Sequence, residues 1–182
     1  MIKTGKAEKM IQTIFTLDTC SPIPGVDVIE CKDETQLLEK WHAFLLHYDP
    51  DIMIGYYFQD FDLRYMIQRA ERLKIPRFPY LGRNQDEKVK ITKSCHFGKK
   101  KKYDTIARIP SRELVDMWVH IAYNYRDSLR ETKLKFTSMY FLGEKKIDMD
   151  YEKIPSFQIE SADTRKMLAQ YCLMILDIPY ND

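Results

Sequence analysis

The stretch from Asp49 to Leu73, D-P-D-I-M-I-G-Y-Y-F-Q-D-F-D-L-R-Y-M-I-Q-R-A-E-R-L, constrains the fold more than any other part of the chain. A short apolar run over 52–56 has the length and composition of a strand and leads into a Gly-containing turn. A helical pattern then opens at Phe61-Asp62-Leu63, with Leu63, Met66, Ile67, Ala70 and Leu73 on one face. A strand followed at once by a helix presents Asp62 at the mouth of a sheet, where α/β folds place metal ions and phosphates. The plain alternative is a carboxylate at a helix N-terminus, favoured there by the helix dipole. The residues alone leave both open.

Around this unit the chain continues the alternation of strand and helix. The segment 13–17 is β-branched and aromatic, hence a strand. Pro22-Ile23-Pro24-Gly25 makes a turn, and 26–29 forms a short second strand. Asp33 is placed to cap a helix, with Gln36 three residues on as in a capping box. That helix carries Leu37, Leu38, Trp41, Phe44 and Leu45 at helical spacing and stops near Tyr48, before Pro50. Strand, helix, strand, helix in this order predicts an α/β sheet, and Pro76, Pro79 and Gly82 close the unit.

Residues 88–110 read as a β-hairpin whose tip is Lys99-Lys100-Lys101-Lys102. Four lysines in a row make either a solvated loop or a sequence-independent contact to nucleic-acid phosphates. Phe97 and Tyr103 flank them and could stack on bases. A strand running into a helix fits 113–125, and a helix over 134–142 meets a stop at Gly143. Asp163 is expected to cap a last helix reaching about 176, which Pro179 limits. No repeat and no long linker interrupts the chain.

With 182 residues the chain is expected to form one domain with a sizeable core, behind a loose leader over 1–10. The net charge of +2 does not by itself demand an acidic partner. No apolar run approaches the roughly 18 residues of a membrane span, and no apolar segment follows the lysine-rich start, so an intracellular protein without membrane partners is expected. Cysteines at 20, 31, 95 and 172 and histidines at 42, 47, 96 and 120 lack zinc-ligand spacing, which leaves four free thiols as the expectation.

The run 49–63, D-P-D-I-M-I-G-Y-Y-F-Q-D-F-D-L, resembles the second exonuclease motif of family B DNA polymerases of the delta type. F-T-L-D-T-C-S-P-I-P-G (15–25), R-A-E-R-L-K-I-P-R-F-P-Y-L-G-R (69–83), Y-F-L-G-E-K-K (140–146) and D-T-R-K-M-L-A-Q-Y-C-L (163–173) are similar to successive parts of the same domain, in the same order. The resemblance thus covers about 11–179. It implies an RNase H-like exonuclease fold over 11–182, a mixed sheet flanked by helices. The sheet would lack its first strand, because the family's D-x-E motif is expected upstream of residue 11. It also implies proofreading 3′–5′ exonuclease chemistry in DNA replication, in which acids hold two Mg²⁺ or Mn²⁺ ions that activate water and stabilise the leaving oxygen. The implied partners are DNA, as a single-stranded 3′ end or a primer–template, and the remainder of a polymerase. The implied location is the nucleus for a cellular delta type. The lysine-rich hairpin would lie near the primer–template junction.

Carried onto this sequence, the resemblance puts Asp62 at a metal-ligand position and Phe61 at the DNA-contacting position beside it. Tyr57 stands where the family has Asn, and so does Asp60. The family's third motif, Y-x-x-x-D on the last helix, uses its Tyr to orient the attacking water. Tyr171 has that place here, but the residue four later is Ile175. Asp177, six positions on and about 240° round the helix, cannot replace the missing acid. Asp27 and Glu30 sit on opposite sides of a strand at their D-x-x-E spacing, and Asp148 and Asp150 fall in a polar connection. Tyr123 and Asp127 repeat the Y-x-x-x-D spacing at an unrelated place. One carboxylate does not supply the near-octahedral shell of Mg²⁺. The chain is therefore expected to be a catalytically inactive exonuclease-like domain or fragment that still binds DNA. The alternatives are a stand-alone nucleic-acid-binding module, or an active metal-dependent exonuclease completed by acids outside this chain.

Overall fold

The structure, a computed structural model, describes residues 11–96, 102–125, 128–129, 131–143 and 149–177. The chain divides into two compact units, Met1–Leu37 with Arg126–Asp182, and Leu38–Tyr125.

In the first unit, β1 (Gln12–Leu17) and β2 (Val26–Cys31) pair in parallel from Gln12↔Val26 to Leu17↔Cys31. Cys20 and Ile23 from the connection between them, Ala169 and Leu173 from the last helix, and Ile14, Val26 and Val28 from the strands form the core. Asp33 accepts the Gln36 N–H at 2.8 Å while Gln36 Oε1 accepts the Lys32 N–H at 2.8 Å, which fixes the start of α1 (Glu34–Tyr48). Two short helices, α4 (Leu134–Leu142) and α5 (Ile154–Glu160), precede the long α6 (Ala162–Asp177). Gly143 ends α4 in the left-handed region, φ 67°, as a glycine C′ residue should.

The cap of α6 differs from expectation. Ser161 is the capping residue, with its Oγ accepting the Thr164 N–H and its own N–H donating to Thr164 Oγ1, both at 3.1 Å. Asp163 lies inside the first turn and accepts the Ser21 hydroxyl at 2.6 Å. In S-A-D-T both Ser and Asp are capable caps; the Thr three residues after Ser closes the reciprocal box and decides between them. Arg165 then ties α6 down, donating to the Thr19 carbonyl at 2.5 Å and the Gln158 carbonyl at 2.9 Å.

In the second unit, β3 (Ile52–Gly55) runs parallel to β6 (Glu113–Asp116), with Gly55 opposite Asp116. A single π-helical turn, Gln59–Leu63, leads into α2 (Arg64–Arg72). Leu63, Ile67 and Ala70 of this continuous helix are buried, as the 3.6-residue spacing predicts, in a unit whose core also includes Leu38, Leu45, Phe78 and Leu81. The Phe78 ring, fully buried, stacks tilted against Trp41 of α1 with centroids 5.7 Å apart. Antiparallel β4 (Lys90–His96) and β5 (Lys102–Arg108) form a ribbon, and β6 passes directly into α3 (Met117–Asn124). Among the described residues the six strands pair as three two-stranded ladders rather than one sheet. The mixed α/β class is as expected.

The start of β3 is fixed by ion pairs. Arg112, with only 1% of its side chain exposed, donates to the Leu81 carbonyl at 2.8 Å, the Pro50 carbonyl at 2.6 Å and Asp49 at 2.8 Å. Arg83 adds a bifurcated bond from its Nε–H to both Asp49 oxygens, each at 3.0 Å, a bond to the Asp49 carbonyl at 3.2 Å and a contact to Asp51. These bonds hold Asp49 in the left-handed region at φ 45°, where the chain turns into the strand.

Candidate functional site

Asp116 ends β6 beside Gly55 at the end of β3, so it sits at the carboxyl ends of two parallel strands. It is 7% exposed. Its Oδ1 accepts the Tyr57 N–H at 2.8 Å and the Trp118 N–H at 3.1 Å, and its Oδ2 accepts the Gln59 N–H at 3.2 Å. The Trp118 bond makes it the N-cap of α3; the other two fasten the turn that follows β3. Gly55 is needed there: a Cβ at this position would come within 2.7 Å of the Phe58 ring, which folds back over it.

Tyr57 occupies the left-handed region, φ 57°, which costs a non-glycine residue about 1–2 kcal/mol and which Asn tolerates best. An Asn at this position, as in the family resembled, would sit there with less strain. Three contacts hold the Tyr instead. Its N–H binds Asp116, its ring meets Trp118 edge-on with centroids 5.0 Å apart, and its hydroxyl donates to Asp60 at 3.0 Å. The bond to Asp60 in turn raises the Tyr57 hydroxyl above its ordinary range. Arg64 pairs with the other Asp60 oxygen at 3.2 Å.

The next residues make the π turn, closed by Leu63 N–H to Phe58 carbonyl at 2.8 Å, five residues back. Leu63 is 1% exposed and anchors the turn, leaving Phe61, 67% exposed, and Asp62 toward solvent. Although Asp62 keeps this solvent face, crowding by its surroundings raises its carboxyl above the usual range. The Asp116 charge adds to the rise, and a bond from its own backbone opposes it. Because the folded state then holds the proton more tightly than the unfolded state, this group's contribution to stability falls as pH rises through the folded value. Asp62→Asn is accordingly expected to raise the melting temperature at pH 7 and to lose that advantage near pH 3, below the ordinary carboxylate value. Thermal scans at the two pH values check it; an equal or lower melting temperature for the variant at pH 7 counts against the electrostatic cost.

Tyr171 lies half-buried on α6 of the other unit, on the helix that also carries Ile175. Lys99, Lys100 and Lys101 lie outside the described residues, while Lys102 opens β5 opposite His96. Of the alternative acids, Asp27 and Glu30 share β2, where Glu30 accepts the Cys20 N–H at 2.8 Å. Asp150 caps a 3-10 turn by accepting the Glu152 N–H at 3.1 Å, and Asp148 and Asp127 lie outside the described residues. Asp116 is the acid that sequence reasoning passed over. Its signal was an Asp between the strand E-L-V and the helix M-W-V, where an N-cap belongs.

A pair of divalent cations does not fit the described donors. Asp116 engages both oxygens with backbone N–H groups, Asp60 is bound by Tyr57 and Arg64, and no three His, Cys, Asp or Glu side chains converge among the described residues. What the arrangement does provide is an exposed carboxylate and an exposed aromatic ring on one turn. No helix among the described residues is long and apolar enough to cross a membrane.

The chain matches the DNA polymerase family B exonuclease domain over residues 1–135. It is 36% identical over 178 residues to a DNA polymerase delta catalytic subunit of Caenorhabditis elegans, covering 96% of this chain and 16% of that protein. The corresponding subunit of Dictyostelium discoideum is 37% identical over 179 residues, with 96% and 16% covered. That of Drosophila melanogaster is 34% identical over 183 residues, with 98% and 16% covered. The chain therefore spans about a sixth of the length of these relatives.

Proposed function

The chain belongs to the family B DNA polymerases, within their exonuclease domain, and from that premise we propose that it is a delta-type exonuclease-like domain that binds DNA without cutting it. The carrying observation is Asp116: the acid that acts on Asp62 engages both its oxygens with backbone N–H groups. Asp116 is thereby committed to the turn and to the start of α3, and no three His, Cys, Asp or Glu side chains converge among the described residues. In the third-motif position of α6, Ile175 follows Tyr171 where the family would have Asp. Tyr171 would then keep the water-orienting place, with Ile175 at the position of the motif's acid. The fold we assign is RNase H-like, a reading supported by two parallel ladders, β1–β2 and β3–β6, each feeding a helix.

The test is an assay of a 5′-labelled single-stranded oligonucleotide with Mg²⁺ or Mn²⁺, comparing the chain with Asp62→Ala. Equal, background-level shortening is expected from both. Digestion by the native chain and not by the variant would overturn the reading. It would favour the second one, an exonuclease completed by acids from outside this chain, which the solvent-facing Asp62 with its raised carboxyl supports.

DNA binding is proposed to use Lys99, Lys100, Lys101 and Lys102 on phosphates and the exposed Phe61 ring on a base. Replacing the four lysines by Gln should weaken oligonucleotide binding and reduce the salt dependence, by up to about 3 in the slope of log K against log salt. Fluorescence anisotropy at several salt concentrations measures this; an unchanged slope would remove the lysines from the interface. The proposed setting is the remainder of a replicative polymerase, in the nucleus if the polymerase is a cellular delta type.

A further inference from the structure

Gln59 makes two bonds in two directions. Its side-chain Oε1 accepts the Ala107 N–H of β5 at 3.0 Å, while its own N–H donates to Asp116 Oδ2 at 3.2 Å. Ala107 is 6% exposed and stands opposite Ile91 in the β4–β5 ribbon, while Gln59 is half-buried, so this bond is partly shielded from water. Asp116 is 7% exposed and also holds Tyr57, the residue whose carbonyl accepts the Phe61 N–H at 3.3 Å. One residue thus joins the ribbon to the turn that carries Phe61 and Asp62. A hydrogen bond partly shielded from water transmits displacement because its partners exchange to solvent less readily than exposed groups do when one of them moves.

We propose that Gln59 is a positioning residue that couples the β4–β5 ribbon to the π turn, so that loosening the ribbon loosens the turn presenting Asp62. The coupling is a property of the second unit and holds with or without DNA. If the ribbon also grips DNA, an inference that rests on the function proposed above, the grip is felt at Asp62 through this side chain.

The bland alternative is that Gln59 satisfies a strand-edge N–H and nothing more. A double-mutant cycle on amide hydrogen exchange separates the two. Ile106→Gly loosens β5 at a residue 51% exposed, so little core packing is lost. Gln59→Leu keeps the bulk and removes the acceptor. Coupling predicts that Ile106→Gly speeds exchange of the Leu63 amide in the π turn by about threefold or more, and that the same change in the Gln59→Leu background adds less than about 1.5-fold. Gln59→Glu retains an acceptor for Ala107 and should restore the response. Equal acceleration in both backgrounds, or none in either, overturns the proposal. Should Gln59→Leu fail to fold, Gln59→Asn, one methylene too short to reach Ala107, replaces it in the cycle. No DNA is present, so a failure here is distinct from a failure of the DNA-binding reading.

Discussion

Asp116→Ala is expected to lower the stability of the Leu38–Tyr125 unit by about 3–5 kcal/mol. The substitution leaves three backbone N–H groups, those of Tyr57, Gln59 and Trp118, without their acceptor. Loss of an N-cap alone costs about 1 kcal/mol, and each further buried donor left unsatisfied costs about 1–3 kcal/mol, less where water can enter. Domains of ordinary stability hold about 5–15 kcal/mol in total, so much of the unit's margin would go. Asp116→Asn keeps one accepting oxygen and removes the charge, so its loss should be about half as large. It should also lower the Asp62 carboxyl toward its usual range, since the Asp116 charge helps to raise it. Urea unfolding followed through Trp118, whose N–H is one of the three donors, reports the change. A loss below about 1 kcal/mol for the Ala variant would mean that water replaces the carboxylate and that the turn is held by other contacts.

The second large effect is expected at Arg112. Its guanidinium is almost fully buried, and Arg112→Ala strands the Leu81 and Pro50 carbonyls together with one side of Asp49. The two carbonyls left without their donor cost about 1–3 kcal/mol each, while the half-exposed Asp49 keeps its bond to Arg83. Arg112→Lys retains the charge but loses the fork that reaches carbonyls and carboxylate together, so it should rescue only in part.

The same network fixes an acid dependence. The Arg83 hydrogen bond, and after it the bond from Arg112, hold the Asp49 carboxyl below its usual range. A carboxylate lowered on folding contributes stability that is fully present above its unfolded value. That contribution is lost as pH falls through the lower, folded value. Native stability should therefore drop below about pH 4, and in Arg112→Ala the drop should be shallower but present, because Arg83 remains. Denaturant midpoints between pH 2 and 6 test this. An Arg112→Ala profile as steep as the native one would assign the acid loss to other carboxylates.

Most helices and the strands could be read from the chain because their signals are local, whereas α5 (Ile154–Glu160) was not foreseen. Asp33 with Gln36, the spacing of Leu63, Ile67 and Ala70, and Gly143 after an apolar helix each act within a few residues. The π turn was not legible. Nothing in Q-D-F-D-L separates a five-residue from a four-residue closure; the choice follows from burying Leu63 while Tyr57 and Gln59 are tied to Asp116. The capping of Trp118 by Asp116 had a local signal, but its bonds to Tyr57 and Gln59 did not, because those residues lie 59 and 57 positions away and only the fold brings them to it. The Ser161 cap was missed for a smaller reason, two capable residues standing close together.

The π turn has one consequence for how such a chain can change over time. It holds one residue more than an α turn, so deletion of any one residue between Phe58 and Leu63 would let an ordinary helix form, with better hydrogen-bond geometry. Each such deletion would also swing the residues before it by about 100° relative to those after it. The turn tied to Asp116 and the buried Leu63 could not both stay in place. The simplest route to a more regular helix thus runs through loss of the turn that presents Asp62. A lineage that keeps this spacing would be retaining a locally less favourable turn, so the length of the segment is constrained as well as the residues in it.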